Sequence, residues 1–382
     1  MKILVVSHEF PPIGGGGANA CYHLTKGFVD RGHQVTVITA NYKHMPEEEN
    51  IQGVQLIRVA SLRKHREYSS FAEMLSYLCK ALHAAVRFQK KERYDVCLVF
   101  FGIPSGPIGY VLKKIYKLPY IIRFGGGDIP GAQERFAKIY KLLGPAIKTI
   151  WKNADALVAN SQGLKERAQH FYTKKDFHII CSGVNADMFY PGEKERTEEF
   201  RLLFVSRLIE GKGLQFIIPK LQKIQECAGK KVRLVIVGNG PYRGALENVV
   251  KECGAEKFVR FEGQKDKNEV LRYYQNADVF ILPSKQEGMP NVVLEAMACG
   301  LPIVMTPCEG SAELIGNNGY AVPVEEFADR LIDLAGHSEK CLEMGRESRR
   351  IVDSCFLWEK KVEEYIDILE ESVKGKLSGH NR

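Results

Sequence analysis

Several signatures that identify common classes of protein are absent from this 382-residue sequence. No two of its ten cysteines form a C-x-x-C pair and no histidine cluster accompanies them, which argues against a zinc site or a disulfide framework. No apolar run approaches the roughly 18 residues of a membrane-spanning helix, and the longest, over residues 96–104, suits a buried strand. With 45% hydrophobic and 26% charged residues, the composition is that of an ordinary globular protein.

The first residues also lack the pattern of a secretory signal. The apolar run that ends at Val6 is short and is followed directly by Ser7, His8 and Glu9, so it predicts a first β-strand. The ten cysteines are most simply interpreted as reduced, mostly buried thiols. Both observations predict a cytoplasmic protein.

Charge is divided unevenly along the chain. Residues 1–180 contain 26 Lys and Arg against 14 Asp and Glu, whereas residues 181–382 contain 28 against 32. The net charge of +8 therefore arises entirely in the first half. A basic half indicates an anionic partner or surface, and nucleic acid is disfavoured because no nucleic-acid-binding motif accompanies the charge.

Short apolar strands alternate with amphipathic helical segments, which predicts parallel sheets covered by helices on both faces. The alternation pauses over residues 183–199, where glycine, proline and a run of charges predict a linker, and then restarts. We therefore predict an α/β protein of two doubly wound domains, residues 1–182 and 200–361. Ligands of such sheets bind beyond the carboxyl ends of the strands, so we expect two facing domains to share one cleft.

Four consecutive glycines, Gly14–Gly17, separate the first predicted strand from a helix. Such a loop lets the backbone approach a ligand closely, and a helix N-terminus favours an anion. Residues 15–20 also fit the dinucleotide pattern G-x-G-x-x-A, so a nicotinamide-dependent dehydrogenase is an alternative. The preceding Pro-Pro lengthens the turn, and the second strand ends without an acid to bind a ribose hydroxyl, which both argue against it. A purely structural turn is the other alternative.

Two cations, Arg207 and Lys212, follow the first strand of the second half on a loop that contains glycine. Cations in this place can neutralise a diphosphate without a metal, and no Asp-x-Asp occurs in the chain to hold one. The alternative is a pair of solvated surface charges. A second glycine loop, at Gly238, follows the next strand, although a plain strand-to-helix turn explains it equally well.

The most informative segment places Glu287 and Glu295 on either side of a predicted helix start, as an E-x7-E motif. Helical side chains lean toward the N-terminus, so Glu295 can point back toward the loop that carries Glu287. Two carboxylates near unpaired helix amides suit a polyhydroxy or phosphorylated ligand. The residues predicted at this helix start are Gly288, Met289, Pro290 and Asn291. The alternative is one capping and one solvated glutamate.

The ordered set of Gly14–Gly17, Arg207 with Lys212, and the E-x7-E motif resembles the retaining glycosyltransferase family 4, which has the GT-B fold. The resemblance runs nearly end to end. It implies two facing Rossmann-like domains with a shared cleft and a final helix, about residues 362–382, that returns to the first domain.

The resemblance also implies roles for individual residues. Glu287 would contact the hydroxyls of the donor sugar, Glu295 the ribose, and Arg207 with Lys212 the diphosphate. The remaining implied donor-binding residues are Gly15, Gly16, Gly238, Gln264 and the helix start. Many relatives have a histidine in the first domain at a place where this sequence, within residues 123–131, has a glycine, so no catalytic histidine is expected. Arg123 and Asp128 become the acceptor-side candidates.

The function implied is transfer of a sugar, with retention, from a nucleotide-diphosphate sugar to a glycan or lipid-linked acceptor in cell-surface polysaccharide or glycolipid synthesis. Neither a metal nor another cofactor is implied. A sugar-nucleotide epimerase of the same fold and a non-catalytic nucleotide-sugar-binding subunit are the alternatives.

Three basic segments of the first domain, residues 63–66, 89–93 and 113–117, interleave cations with apolar or aromatic residues. This pattern predicts peripheral contact with an anionic membrane, at the inner face of the cell membrane, because each nearby cation contributes about 1 kcal/mol. Ordinary solvated helix faces are the alternative.

Overall fold

The computed structural model describes residues 1–66, 69–131, 137–193 and 198–378. The chain forms two compact units. The first comprises Met1–Ser182 together with the chain from Trp358 onward, and the second comprises Gly183–Leu357.

The first unit is built on an eight-stranded sheet. Its strands are β1 (Lys2–Val6), β2 (Gln34–Ala40), β3 (Glu48–Ile51), β4 (Val54–Val59), β5 (Val96–Phe100), β6 (Tyr120–Arg123), β7 (Ala156–Ala159) and β8 (His178–Ile179). They lie in the order β3-β4-β2-β1-β5-β6-β7-β8. All neighbours are parallel except β3 and β4, which pair antiparallel. Strand β3 is absent from the sequence prediction, because its sequence Glu-Glu-Asn-Ile has too few apolar residues to predict a strand.

Helices cover both faces of this sheet. They are α1 (Gly16–Asp30), α2 (Phe71–Glu92), α3 (Gly106–Tyr116), α4 (Ala137–Asn153) and α5 (Gln162–Phe171). Strand β5 is buried along its whole length, as expected for a central strand between two helical layers. The sequence pattern predicts a helix over residues 133–153, whose first residues, 133–136, lie outside the described residues.

The second unit repeats the pattern on a six-stranded sheet whose neighbours are all parallel. Its strands are β9 (Glu199–Val205), β10 (Lys231–Val237), β11 (Val259–Gly263), β12 (Val279–Leu282), β13 (Ile303–Met305) and β14 (Gly319–Ala321). The order is β11-β10-β9-β12-β13-β14. Its helices are α6 (Leu221–Ala228), α7 (Arg243–Glu252), α8 (Lys267–Gln275), α9 (Asn291–Ala298), α10 (Ser311–Leu314), α11 (Phe327–Gly336) and α12 (Ser338–Cys355).

The sequence pattern predicts a helix over residues 214–227, and the first half of this prediction is wrong. Leu214–Phe216 and Ile218–Lys220 are single 3₁₀ turns, and α6 begins only at Leu221. Pro219 is the reason, since it has no amide to donate and its ring disfavours a helical conformation in the residue before it.

The final helix, α13 (Trp358–Ser378), belongs to the first unit and begins four residues before the predicted boundary at 362. It packs on α1 so closely that a Cβ atom on Gly27 would lie 2.3 Å from a methyl group of Val362. The Trp358 ring stacks on His23 with centroids 5.1 Å apart. The described residues of the predicted linker group with the second unit, where the Val184 amide donates to the Phe356 carbonyl over 2.7 Å. Residues 194–197 of that linker lie outside the described residues.

No helix in the described part of the chain is long and apolar enough to cross a membrane.

Candidate active site

In the second unit, the loops that follow β9, β10 and β12 pack against one another at the carboxyl edge of the sheet. Gly213 has a φ of +77°, and a Cβ atom there would lie 1.9 Å from the carbonyl oxygen of Pro283. Gly238 has a φ of +137°, and its Cβ would lie equally close to the carbonyl oxygen of Ser206. Only glycine satisfies both the backbone angle and the contact. The glycines therefore fix the distance between the three loops that carry the predicted donor-binding residues.

Backbone hydrogen bonds join the same loops. The Lys285 amide donates to the Gly211 carbonyl over 2.8 Å, and the Leu208 amide donates to the Asn239 carbonyl over 2.9 Å. The Gly238 amide donates to the Gly263 carbonyl over 2.7 Å, which brings the exposed Gln264 beside the β10 loop. Cations, glycines and Gln264 thus lie on one connected edge of the second unit.

Lys212 and Glu287 are brought together by this packing, although 75 residues separate them in the chain. Lys212 Nζ donates a hydrogen bond to Glu287 Oε1, and the two side chains are 20% and 15% exposed. The pair presents a cation and a carboxylate at one accessible point. Arg207, the other predicted cation, lies exposed on the loop that carries Lys212.

Helix α9 begins at Asn291, with Pro290 in an extended conformation immediately before it. Pro290 at the N-cap makes no side-chain capping hydrogen bond, so within the described part of the chain the first amides of α9 lack a side-chain cap. Met289 and Pro290 are buried, whereas Gly288 and Asn291 are half-buried. The helix start therefore lies where the sequence predicts it, and Pro290 is the residue immediately before the first turn.

A further loop holds Glu287 in place and is absent from the sequence prediction. After β13, the Glu309 amide donates to the Glu287 carbonyl over 3.3 Å, and the Gly310 amide donates to the Gly288 carbonyl over 2.9 Å. A Cβ atom on Gly310 would lie 2.8 Å from that Gly288 oxygen. A glycine just before the short helix α10 was the only sequence signal, and it could not identify its distant partner.

Glu295 lies one turn inside α9 and accepts a hydrogen bond of 2.9 Å from the hydroxyl of Tyr274. Tyr274 comes from α8 and is completely buried. Burial raises the pKa of Glu295 to about 7, against the opposing effects of the Tyr274 hydrogen bond and of the charge on Lys267. The second glutamate of the E-x7-E motif therefore titrates near neutral pH.

The glycine loop of the first unit follows β1, and Gly15 occupies the N-cap of α1 without any side-chain cap. Gly15 and Gly16 are exposed, and a Cβ atom on Gly15 would meet nothing within 4 Å. Gly17 differs, because a Cβ there would lie 2.4 Å from the ring of Phe101. Gly17 therefore packs against the protein, whereas Gly15 and Gly16 are exposed at the start of a 15-residue helix.

The carboxylate of Asp128 is buried and accepts hydrogen bonds from backbone amides. Its Oδ2 accepts from Gly102 over 2.7 Å, and its Oδ1 accepts from Gly125 and Gly126, both over 2.9 Å. Burial raises the pKa of Asp128, although these amides oppose the effect. The carboxylate therefore links the loop after β6 to the loop after β5 and holds the two loops in position.

Arg123 is only 2% exposed and lies at the end of β6. Its guanidinium donates to the Ser182 hydroxyl over 3.2 Å and lies 5.2 Å from the centroid of the Phe100 ring. Arg123 and Asp128 are thus both buried, with Asp128 only 5% exposed. Direct contact with an acceptor stays a prediction for both.

Among the residues whose positions are described, no three His, Cys, Asp or Glu side chains form a group that could hold a metal ion. The cations and helix N-termini of the two units are the elements available to meet negative charge.

Comparison with known proteins extends over both units. The family described as "Glycosyltransferase Family 4" matches residues 14–188, and the family described as "Glycosyl transferases group 1" matches residues 199–337. An uncharacterized glycosyltransferase of Methanocaldococcus jannaschii is 30% identical over 82% of this chain and 83% of its own length.

Two solved structures share the fold. The sucrose-phosphate synthase of Thermosynechococcus elongatus has a TM-score of 0.83 at 22% identity, and the alignment covers 97% of this chain and 98% of the other. The Anabaena protein HepE, solved in complex with UDP and glucose, has a TM-score of 0.74 at 18% identity, covering 97% and 99%. These likenesses confirm the predicted GT-B fold.

Proposed function

The chain belongs to glycosyltransferase family 4, and from this membership we propose that it transfers a sugar, with retention, from a nucleotide-diphosphate sugar to a glycan or lipid-linked acceptor. The proposal includes the second unit as the donor-binding unit and the first unit as the acceptor-binding unit. It places the reaction in the synthesis of cell-surface polysaccharide or glycolipid, and it requires no metal.

The observation that carries the proposal is the Lys212–Glu287 pair beside the open start of α9. A carboxylate accepts hydrogen bonds from sugar hydroxyls, a cation binds phosphate, and helix amides donate to phosphate oxygens. A sugar diphosphate is one of few ligands that carries both kinds of group. The exposed Arg207 on the same loop adds a second cation for the diphosphate.

For the reaction, we propose that the leaving nucleoside diphosphate is stabilised by Lys212, Arg207 and the α9 amides, which supply charge stabilisation where a metal would otherwise act. Glu287 would hold the donor sugar by its hydroxyls. The acceptor hydroxyl would attack from the face on which the phosphate departs, and the phosphate oxygen would take its proton. Isolation of a covalent sugar adduct on a carboxylate would contradict this mechanism.

The site assignment is tested with Lys212→Ala and Glu287→Ala. Each should lower kcat by at least about 10²-fold, the effect of removing one group positioned at developing charge. Lys223→Ala is the matched control, because Lys223 forms an exposed ion pair with Asp329 elsewhere in the second unit. Wild-type turnover in either site variant would overturn the assignment.

The donor base and sugar can be found by thermal shift with UDP, GDP, ADP and CMP, followed by their sugars. A ligand at 100 times its Kd stabilises the folded protein by about 2.7 kcal/mol, a readily measured shift. UDP is the first choice, because HepE was solved with UDP and glucose. Products formed without any acceptor would favour an epimerase, whereas binding without any turnover would favour a non-catalytic subunit.

For the acceptor side we propose peripheral contact with an anionic membrane through residues 89–93 and 113–117. Ile115 is 59% exposed between the lysines of the second segment, and Leu142 on α4 is 82% exposed. In the remaining predicted segment, residues 63–66, Arg63 is buried and cannot contact a membrane. Vesicles containing phosphatidylserine should bind the protein at low salt, and failure to bind would count against the contact.

A further inference from the structure

Residues 61–66 form a strap between β4 and α2 that is hydrogen-bonded to the glycine loop. The Gly14 amide donates to the Arg66 carbonyl over 2.8 Å, and Arg66 Nε donates to the Pro12 carbonyl over 2.5 Å. Both bonds join the strap to backbone groups just before Gly15. The position of the open glycines therefore depends on the position of the strap.

One buried guanidinium, that of Arg63, binds the strap and the end of β1 at the same time. Nη1 donates to the His8 carbonyl over 3.1 Å, Nε to the His65 carbonyl over 3.0 Å, and Nη2 to the Arg66 carbonyl over 3.2 Å. The side chain is 2% exposed. The Arg66 carbonyl thus accepts from Arg63 and from Gly14, so it connects the guanidinium to the glycine loop.

Glu9 completes this arrangement from the side of the glycine loop. Its Oε1 lies 3.5 Å from Nη2 of Arg63. Gly14 has a φ of +92°, and a Cβ atom there would lie 2.3 Å from Oε2 of Glu9. Burial lowers the pKa of the adjacent His8 to about 4, so His8 is neutral at neutral pH and the local charges are those of Arg63 and Glu9.

The other end of the strap is fixed to α2. Glu73 Oε1 accepts from the Lys64 amide over 2.8 Å, and Oε2 accepts from the Ser70 amide over 2.6 Å. Ser70 is the N-cap of α2 and forms a capping box with Glu73. The strap is therefore held between a rigid helix start and the glycine loop.

We propose that Arg63 is a positioning residue for sugar transfer, which holds the glycine loop through the strap so that Gly15 and Gly16 keep the geometry the reaction needs. This inference rests on the role proposed above for the loop. A buried ion pair is weak evidence of a stabilising role, because desolvation offsets the attraction between the two charges. Arginine is required because only a planar fork can donate to three carbonyls at once, and a lysine ammonium cannot span them.

The test is Arg63→Lys, which keeps a cation beside Glu9 but removes the fork. Arg58→Lys is the matched control. Arg58 is also 2% exposed in the same unit, pairs with Glu49 over 2.6 Å and donates to the Pro46 carbonyl. Hydrogen exchange at the Gly14 amide should accelerate at least tenfold in Arg63→Lys and should not change in Arg58→Lys. The kcat and the kcat/KM for the donor should both fall at least tenfold, since Gly15 and Gly16 are implied donor-binding residues and a displacement of about 1 Å can cost 10²-fold.

Arg66→Ala is a second variant. Because Arg66 is exposed, its replacement does not leave an unpaired charge buried in the protein, and the variant is expected to fold. It should raise exchange at Gly14 and lower kcat in the same direction by a smaller factor. Unchanged exchange at Gly14 in Arg63→Lys would overturn the inference, as would equal effects of Arg58→Lys. If the wild-type protein transfers no sugar at all, the proposed function fails, and the exchange result still decides whether Arg63 positions the loop.

Discussion

Replacing Tyr274 by phenylalanine should shift the pH dependence of donor use to higher pH. Tyr274 donates to Glu295 over 2.9 Å, and this hydrogen bond favours the ionised carboxylate. Burial and the neighbouring Glu295 raise the pKa of Tyr274, so its hydroxyl remains a donor throughout the working range. Phenylalanine keeps the buried ring and removes only that donor.

The size of the shift follows from the strength of the hydrogen bond. A hydrogen bond to a charged group contributes about 1.5–3 kcal/mol, and one pKa unit corresponds to 1.36 kcal/mol. The pKa of Glu295, about 7 in the folded protein, should therefore rise by roughly one to two units in Tyr274→Phe. In the role that the family resemblance implies, an ionised Glu295 would accept two hydroxyl hydrogen bonds from the ribose of the donor, so we expect donor use to increase as pH rises through this pKa.

The assay is kcat/KM for the nucleotide sugar from pH 5.5 to 9.5, which reports the pKa values of the free enzyme. The intact donor is preferable to a free nucleoside diphosphate, whose terminal phosphate itself titrates near pH 6. Tyr273→Phe is the matched control, since the adjacent Tyr273 donates to Glu262 over 2.8 Å and makes no hydrogen bond to Glu295 among those described. At pH 7 the Tyr274 variant should lose about 5- to 50-fold and should recover at high pH.

An unchanged midpoint in Tyr274→Phe would refute the reasoning, and so would an equal shift in Tyr273→Phe. A loss of kcat/KM that is the same at every pH would instead mean that Tyr274 affects the packing of the site rather than the ionisation of Glu295.

Three further outcomes are expected. Gly213→Ala should lower the melting temperature and donor affinity, because its Cβ meets the Pro283 carbonyl, whereas Gly211→Ala, whose Cβ meets nothing within 4 Å, should change neither. Asp128→Asn should destabilise the protein by about 1–3 kcal/mol in urea unfolding, because an amide nitrogen would face backbone donors. Burial of Glu295 should make the free energy of unfolding decrease by up to about 3 kcal/mol as pH rises from about 4.5 to 7, and level off at higher pH. The reason is that the folded protein holds the proton over this range, whereas the unfolded chain releases it. A flat profile over this range would contradict that pKa.

The sequence predicted those parts of the fold and site that depend on neighbouring residues. Glu287 and Glu295 were found because a strand, a loop and a helix start follow one another within a few residues. The ion pair between Lys212 and Glu287 joins loops after different strands, so only their common position at a strand end indicated that they approach each other.

The contributions of Tyr274 and Arg63 could not be predicted, because their effect depends on packing between distant segments. Tyr274 is part of an ordinary amphipathic helix, and nothing in its spacing identifies Glu295 as its partner. Arg63 belongs to a basic run that suggested surface charge, whereas its guanidinium is buried against backbone carbonyls. A charge pattern cannot distinguish a solvated cation from one that binds carbonyl oxygens.

The helix α13 has a consequence for the order in which the protein can fold during synthesis. Its Trp358, Val362, Tyr365 and Leu369 belong to the same buried cluster as β1 and α1. A ribosome completes residues 1–182 long before it makes these side chains, so the apolar groove on α1 stays open while the whole second unit is translated. The amino-terminal unit should therefore reach full stability only after α13 has been synthesised and has left the ribosome, and expression of residues 1–182 alone should yield an aggregation-prone fragment.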